Sequence, residues 1–250
     1  TAQRMAAWGD VARRIAHEIK NPLTPIQLSA ERIRRKFASK VGEESDTLEQ
    51  MTDVIVRQTN DLRRIVNEFS KFARMPEPEK RAEDVVDLLR DAVLLQESGQ
   101  PDVTFKTDIC SGSIPAQLDS TMISQALTNL LKNAGEAIET RKEKQPEVTI
   151  NPEIRVWCDL RDGLAEIHIS DNGIGLPEDR ASLVEPYVTT RDKGTGLGLP
   201  IVKKIIEEHG GTLHLKDAEQ FEGETHHGAR AVIRLPVDNT EKTEEAVGEI

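Results

Sequence analysis

The sequence predicts two units of different fold class: an all-α helical hairpin that dimerises into a four-helix bundle, then an α+β sandwich. Three observations predict this. Residues 4 to 74 carry almost no glycine, only two prolines, and an apolar repeat of alternating three- and four-residue spacing, the seam of a coiled coil or bundle. Met75-Pro76-Glu77-Pro78-Glu79-Lys80 then breaks the helical pattern. Beyond it, short alternating runs and turn signals are interleaved with helical ones, as in a sheet covered by helices.

In the first unit the repeat runs through Met5, Trp8, Ala12, Ile15, Ile19, Pro22, Ile26, Ile33 and Phe37. A polar stretch with Gly42 follows, and Ser45-Asp46-Thr47 can cap a second helix. There the spacing recurs at Leu48, Met51, Ile55, Leu62, Ile65, Phe69 and Phe72. A lone hairpin cannot bury both stripes, whereas two hairpins can, so a homodimer is expected.

In the second unit Asp84 to Glu97 reads as an amphipathic helix and Val103 to Ile109 as a strand. Asp119 to Arg141 is a strongly patterned helix with Asp119 or Ser120 as cap. Ile154 to Leu160 and Leu164 to Ser170 pair around the turn signal Asp162-Gly163. Leu197 to His209 is a helix stopped by Gly210-Gly211, and Thr212 to Lys216 and Ala229 to Pro236 are strands. The expected organisation is residues 1–75, a linker at 76–82, a second domain at 83–237, and an acidic, disordered tail at 238–250.

Composition narrows the function. A net charge of −11 over 250 residues excludes a general nucleic-acid binder. Aromatics are only 3%, so the core must come from Leu, Ile, Val and Ala. Cys110 and Cys158 lack C-x-x-C spacing and a nearby histidine partner, which points to a reducing compartment rather than a disulfide or zinc site. No run of 18 apolar residues and no leader sequence is present. The chain starts inside a helical pattern and reads as part of a longer protein.

Three segments of the second unit invite chemistry. Asn129-Leu130-Leu131-Lys132-Asn133-Ala134-Gly135-Glu136 puts two carboxamides four residues apart, hence on one helix face. Their oxygens suit Mg²⁺, although an ordinary helix with two surface asparagines has the same pattern. Asp171-Asn172-Gly173-Ile174-Gly175 follows a strand. A carboxylate there can accept a hydrogen bond from an exocyclic amine such as adenine N6, and glycine allows close approach; a tight turn alone would look alike. Gly194-Thr195-Gly196-Leu197-Gly198-Leu199 opens a helix with Pro200 in its first turn, a setting for phosphate. It is neither a Walker nor a Rossmann motif.

In the first unit, Ala16-His17-Glu18-Ile19-Lys20-Asn21-Pro22-Leu23 holds a histidine two residues from both Ile15 and Ile19, so it turns from the seam toward solvent. That fits a plain surface histidine. It also fits a nucleophile, since imidazole is largely unprotonated at pH 7. Glu18 can orient the ring and accept its proton. Pro22 should bend the helix just past His17. Asn21 excludes a metalloprotease H-E-x-x-H.

In order and spacing, the three segments resemble the N, G1 and G2 boxes of the GHKL ATPases, whose ATP-binding fold is the Bergerat fold. The resemblance covers roughly residues 80 to 236. The histidine segment resembles the H box of HisKA dimerisation domains. Together they resemble sensor histidine kinases, of the nitrogen-regulation type. The resemblance implies ATP binding by Asn129, Lys132, Asn133, Asp171, Gly173, Gly175, Thr189, Thr190, Lys193, Gly194, Thr195, Gly196, Leu197 and Gly198, with Mg²⁺ on Asn129 and Asn133. It implies a lid at 176–195, with Leu183 and Tyr187 where the family usually has phenylalanine. It further implies His17 as phosphoacceptor, Glu18 as general base and Asn21 as the phosphatase residue; Lys20 fits either neutralisation of the phosphoryl group or plain solvation. The implied partners are a second copy of the chain and a response-regulator receiver domain. The implied setting is the cytoplasmic part of a bacterial inner-membrane protein. A GHKL conformational ATPase is the alternative; such proteins carry Glu where this chain has Asn129.

Overall fold

The computed structural model describes residues 2–73, 75–185, 196–223 and 226–238; for residues 2–14, 71–73, 181 and 182 it describes the backbone. The chain divides into two compact units, Thr1–Pro76 and Glu77–Ile250.

In the first unit α1 (Ala2–Phe37) and α2 (Ser45–Ala73) form a hairpin, joined through a single 3-10 turn at Gly42–Glu44. Ser45 Oγ closes the connection by donating to the Ala38 carbonyl at 2.8 Å. Helix α1 continues through Pro22 and Pro25. Each proline lacks an N–H, so the carbonyls of Glu18 and Asn21 lose their intrahelical donors.

The core of the hairpin differs from the seam expected. Ala16, Leu23 and Ala30 are buried on α1, and Thr52, Thr59, Val66 and Ser70 on α2. The α1 set steps by seven residues and the α2 set by seven, seven and four, but they are mostly small or hydroxylated, so hydropathy spacing misses them. The threonines bury without penalty because Thr52 Oγ1 donates to the Leu48 carbonyl at 2.9 Å and Thr59 Oγ1 to that of Ile55 at 2.7 Å. The expected seam residues Ile15, Ile26, Ile33, Phe37, Met51, Ile55 and Leu62 are exposed on the single hairpin. Large apolar residues left outside a helix pair are the stripe that a second pair can cover.

The second unit holds β1 (Arg81–Asp84), α3 (Val85–Gly99), β2 (Thr104–Ile109), β3 (Pro115–Leu118), α4 (Ser120–Lys144), β4 (Glu153–Arg161), β5 (Leu164–Asp171), α5 (Gly198–Glu208), β6 (Thr212–Asp217) and β7 (Ala229–Pro236). Five strands form one sheet in the order β2-β4-β5-β7-β6. Strand β2 runs parallel to β4 and the other pairs are antiparallel. The short ribbon β1–β3 was not expected. It places Arg81 and Ala82 in a strand, paired with Leu118 and Gln117. Val156, Cys158, Ile167, Ile169, Ile233 and Leu235 point from the sheet into a core with Leu127, Leu131 and Ile138 of α4 and Ile205 and Ile206 of α5. The alternate residues Trp157, Glu166, His168, Ser170, Arg230 and Arg234 occupy the opposite sheet face. Of the tail expected at 238–250, Asp238 is held against β3, its N–H donating to the Pro115 carbonyl at 2.9 Å, and residues 239–250 lie outside the described residues.

Candidate functional site

Helix α4 is the spine of the candidate site. Asp119 caps it by accepting from the Met122 N–H at 3.1 Å, and also takes the Glu79 N–H at 3.0 Å. Burial acts to raise the Asp119 pKa, but these donors outweigh it and hold the carboxyl below its ordinary value. The Asp119 N–H donates to His209 Nε2 at 2.9 Å, and His209 Nδ1 lies 2.7 Å from the Ile205 carbonyl. The start of α4 is thereby tied to the end of α5. Three and four turns along α4, Asn129 and Asn133 are half-buried, while Lys132 is exposed and lies 3.8 Å from Glu136.

The turn after β5 is fixed against α4. Asp171 is 5% exposed and Asn172 1% exposed. Asn172 Oδ1 accepts from the Glu153 N–H at 3.0 Å, and its Nδ2 donates to the Asn151 carbonyl at 2.7 Å. Its own carbonyl accepts from the buried Arg141 guanidinium at 2.6 Å. The Ile174 N–H donates to the Ala137 carbonyl at 3.0 Å. A Cβ on Gly173 would come within 2.5 Å of the Ala137 carbonyl carbon, so only glycine allows this approach. With the turn held, Asp171 Oδ1 accepts from the Gly173 N–H at 2.9 Å and the Ala229 N–H at 3.5 Å. Gly175 sits at φ +82° against the His227 carbonyl.

Helix α5 supplies the third wall. Leu197 precedes it fully buried, Gly196 has φ +68°, and Pro200 lies in the first turn. The first N–H groups of a helix have no intrahelical acceptor, and Pro200 has none to leave unmet. The Asn133 carboxamide lies 3.7–3.8 Å from the position of a Cβ on Gly198. Asn133, the Asp171 turn and the opening of α5, far apart in sequence, therefore meet along one helix. Thr189, Thr190, Lys193, Gly194 and Thr195, and Tyr187 of the expected lid, lie outside the described residues; Leu183 is half-buried in a short 3-10 turn.

In the first unit His17, Glu18 and Asn21 are exposed and Lys20 is half-buried. His17 and Asn21 stand one turn apart on the same face, with Ala16 buried behind them at 1% exposure.

Sequence reasoning missed the residues that hold this site in shape. Arg141 and Asn172 show no spacing of their own. Only the D-N-G run around Asn172 carried a signal.

The two units match two family models. Residues 7–78 match the His Kinase A (phospho-acceptor) domain. Residues 118–239 match the histidine kinase-, DNA gyrase B- and HSP90-like ATPases. The nitrogen regulation protein NtrY of Azorhizobium caulinodans is 53% identical over 224 residues, 89% of this chain and 28% of that protein. A sensor histidine kinase of Rickettsia conorii described as NtrY-like is 41% identical over 219 residues, 87% of this chain and 35% of that protein. The chain thus spans about a third of the length of these relatives. Among solved structures, histidine kinase ThkA in complex with response regulator protein TrrA superposes with a TM-score of 0.61 at 25% identity, over 95% of this chain and 64% of that one. ShkA in complex with AMPPNP shares the fold, with a TM-score of 0.64 at 22% identity over 91% of this chain and 46% of that one. With a phospho-acceptor domain followed by an ATPase domain, and NtrY proteins among its relatives, the chain belongs to the sensor histidine kinases of two-component systems.

Proposed function

We propose that the chain is the ATP-dependent kinase core of an NtrY-like sensor, which phosphorylates its own His17 and passes the phosphoryl group to an aspartate of an NtrX-like response regulator. The observation that carries this is the convergence on α4 of Asn133, the Asp171 turn and the start of α5. In this reading residues 1–75 are the dimerisation and phosphotransfer domain, 76–82 the linker and 83–237 the catalytic domain. The ShkA complex with AMPPNP and the ThkA complex with TrrA support the classes of nucleotide and partner.

Each residue then has a task. The Asp171 carboxylate, oriented by the Gly173 N–H, takes the adenine amino group through its remaining lone pairs. The N–H groups opening α5 face the phosphates. Asn129 and Asn133 fit Mg²⁺ because they offer neutral oxygens, and a cation so held needs phosphate oxygens to complete its shell. When bound, Mg²⁺ neutralises charge on the phosphates. His17 attacks the γ-phosphorus, the bond to the β-phosphate oxygen breaks, ADP leaves, and the imidazole proton passes to Glu18. Asn21, one turn from His17, orients the water that later removes phosphate from the regulator. The exposed apolar stripe of the hairpin supports a homodimer. Among the described residues no helix is long and apolar enough to cross a membrane; attachment to the inner membrane, with this part facing the cytoplasm, belongs to segments outside this chain.

The test is incubation with γ-labelled ATP and Mg²⁺, beside His17→Gln and Asn133→Ala. Acid-labile, base-stable label on the parent protein and on neither variant is expected. Label persisting in His17→Gln overturns the acceptor. Steady phosphate release without label favours the conformational ATPase.

A further inference from the structure

Gly173-Ile174-Gly175 is the part of the candidate nucleotide site that most needs outside support, because glycine gives up more backbone freedom on ordering than any other residue. One peptide group of this run is held at both ends. The Ile174 N–H donates to the Ala137 carbonyl of α4 at 3.0 Å. The carbonyl oxygen of the same peptide, that of Gly173, lies 2.9 Å from His226 Nε2. A carbonyl oxygen can only accept, so Nε2 carries the proton and donates it. On its other side, Gly173 offers its own N–H to Asp171 Oδ1 at 2.9 Å. The histidine therefore fixes the residue whose N–H aims the carboxylate.

His226 is itself anchored. It is half-buried in the segment between β6 and β7. Beside it, His227 Nδ1 lies 2.9 Å from the Ala218 carbonyl oxygen, and the Ala218 N–H donates to the Gly228 carbonyl at 3.0 Å. Ala218, which follows β6, is 2% exposed. A Cβ on Gly228 would overlap the Asp171 carbonyl, so the backbone two residues past His226 already rests on the turn. A side chain carried by backbone so placed gives up little freedom in making its bond.

The direction of the carboxylate decides which base it suits. Adenine presents an amino donor where guanine presents a carbonyl oxygen. A carboxylate held toward that edge accepts from the first and repels the second. One free to swing does neither well.

We propose that His226 is a positioning residue of the adenine site: through the Gly173 carbonyl it fixes the direction of the Asp171 carboxylate, and so sets the preference for adenine over guanine. This rests on the reading of Asp171 as the group that takes the adenine amine.

The test measures the affinity of the full chain, with Mg²⁺, for ribose-labelled fluorescent analogues of ATP and GTP. It compares the parent with His226→Phe, His226→Gln, His226→Asn and Asp171→Asn. Phenylalanine keeps a ring without nitrogens. The glutamine amide nitrogen can take the place of Nε2, whereas that of asparagine reaches only the place of Nδ1. His226→Phe should weaken ATP binding about 5-fold, as loss of one neutral hydrogen bond does. GTP binding should weaken less, so the ratio of the two affinities narrows. His226→Gln should restore the ATP affinity and His226→Asn should not. Equal loss for ATP and GTP, or failure of glutamine to restore what phenylalanine loses, overturns the proposal, since packing of the loop alone would act in that way. Parent-like ATP affinity in His226→Phe beside weakened binding in Asp171→Asn overturns this inference alone. Parent-like affinity in both overturns the adenine reading beneath it.

Discussion

His226 Nε2 lies 2.9 Å from the carbonyl oxygen of Gly173. The segment ahead of β7 thus contacts the turn after β5, which α4 also holds. Two residues on, Gly228 has no room for a side chain, because a Cβ there would overlap the Asp171 carbonyl. Gly228→Ala must therefore displace the turn or β7. Overpacking of this kind costs about 1–3 kcal/mol, and in a unit of this size that lowers Tm by roughly 2–10 °C. Calorimetry checks the melting, and nucleotide affinity should fall with it. Unchanged values for both would show that the loop gives way freely.

Asp171→Asn separates charge from shape. The amide oxygen can still accept from the Gly173 and Ala229 N–H groups that hold the carboxylate now. On the proposed reading, what is lost is a charged acceptor for the adenine amino group, worth about 2 kcal/mol or roughly 30-fold in Kd. Titration with a fluorescent ATP analogue measures this. Equal affinity would rule Asp171 out as the group that reads adenine.

The hairpin offers a contrast between two leucine-sized positions. Leu23 is 5% exposed and Ile26 is 47% exposed. Leu23→Ala should destabilise each hairpin by about 2–4 kcal/mol, as cavity-forming substitutions do. Ile26→Glu should leave the hairpin helical and convert dimer to monomer in analytical ultracentrifugation. A dimer surviving both Ile26→Glu and Leu62→Glu would move the interface elsewhere.

Stability should fall on the acid side in two stages. Burial holds His168 below the usual imidazole value of 6.5; Glu166 opposes it, and Arg230, Lys216 and Arg161 add to the depression. The unfolded chain then takes up a proton first, so stability drops as pH falls through about 6.5. Asp84, Asp119, Glu153 and Glu166 are all held below their ordinary values, burial being outweighed by hydrogen bonds or ion pairs. Their contribution is present above about pH 4.5 and is lost below it. Denaturation midpoints from about pH 2.5 to 8 should show both stages in the parent. His168→Phe should lack the upper one.

The two thiols should differ sharply. Cys158 is 1% exposed, and burial, aided by Cys110 and Asp159, pushes its pKa up to about 12. Cys110 is half-buried. At pH 8 a thiol reagent should modify one cysteine quickly and the other only on unfolding, and Cys110→Ser should remove the fast phase.

The parts of the fold written in local chemistry could be read before any coordinates. Asp119 capped α4 where expected, Asp162-Gly163 turned β4 into β5 with Asp162 at φ 52° and Gly163 at φ 74°, and Gly210-Gly211 ended α5. What escaped was non-local or built from small residues. Strand β3 begins at Pro115 and is only four residues long, too short for alternation to register. The parallel pairing of Thr104 with Glu153 joins positions that nothing nearby specifies. The hairpin core of Ala16 and Ala30 against Thr52 and Thr59 carries little hydropathy, while the larger Ile and Leu residues advertised the other stripe. At the candidate site the glycines and carboxamides could be singled out by type, but Arg141 and His226 act through backbone carbonyls, which any sequence provides.

Among its described residues the hairpin buries mostly small side chains and leaves most of its large apolar ones outside. By mass action, a protomer whose apolar stripe is covered by a second copy, as proposed, gains stability as copies become more numerous. The melting temperature of this unit should climb with the logarithm of protein concentration. In a cell, the abundance of the chain would then set how much of it is folded as a dimer.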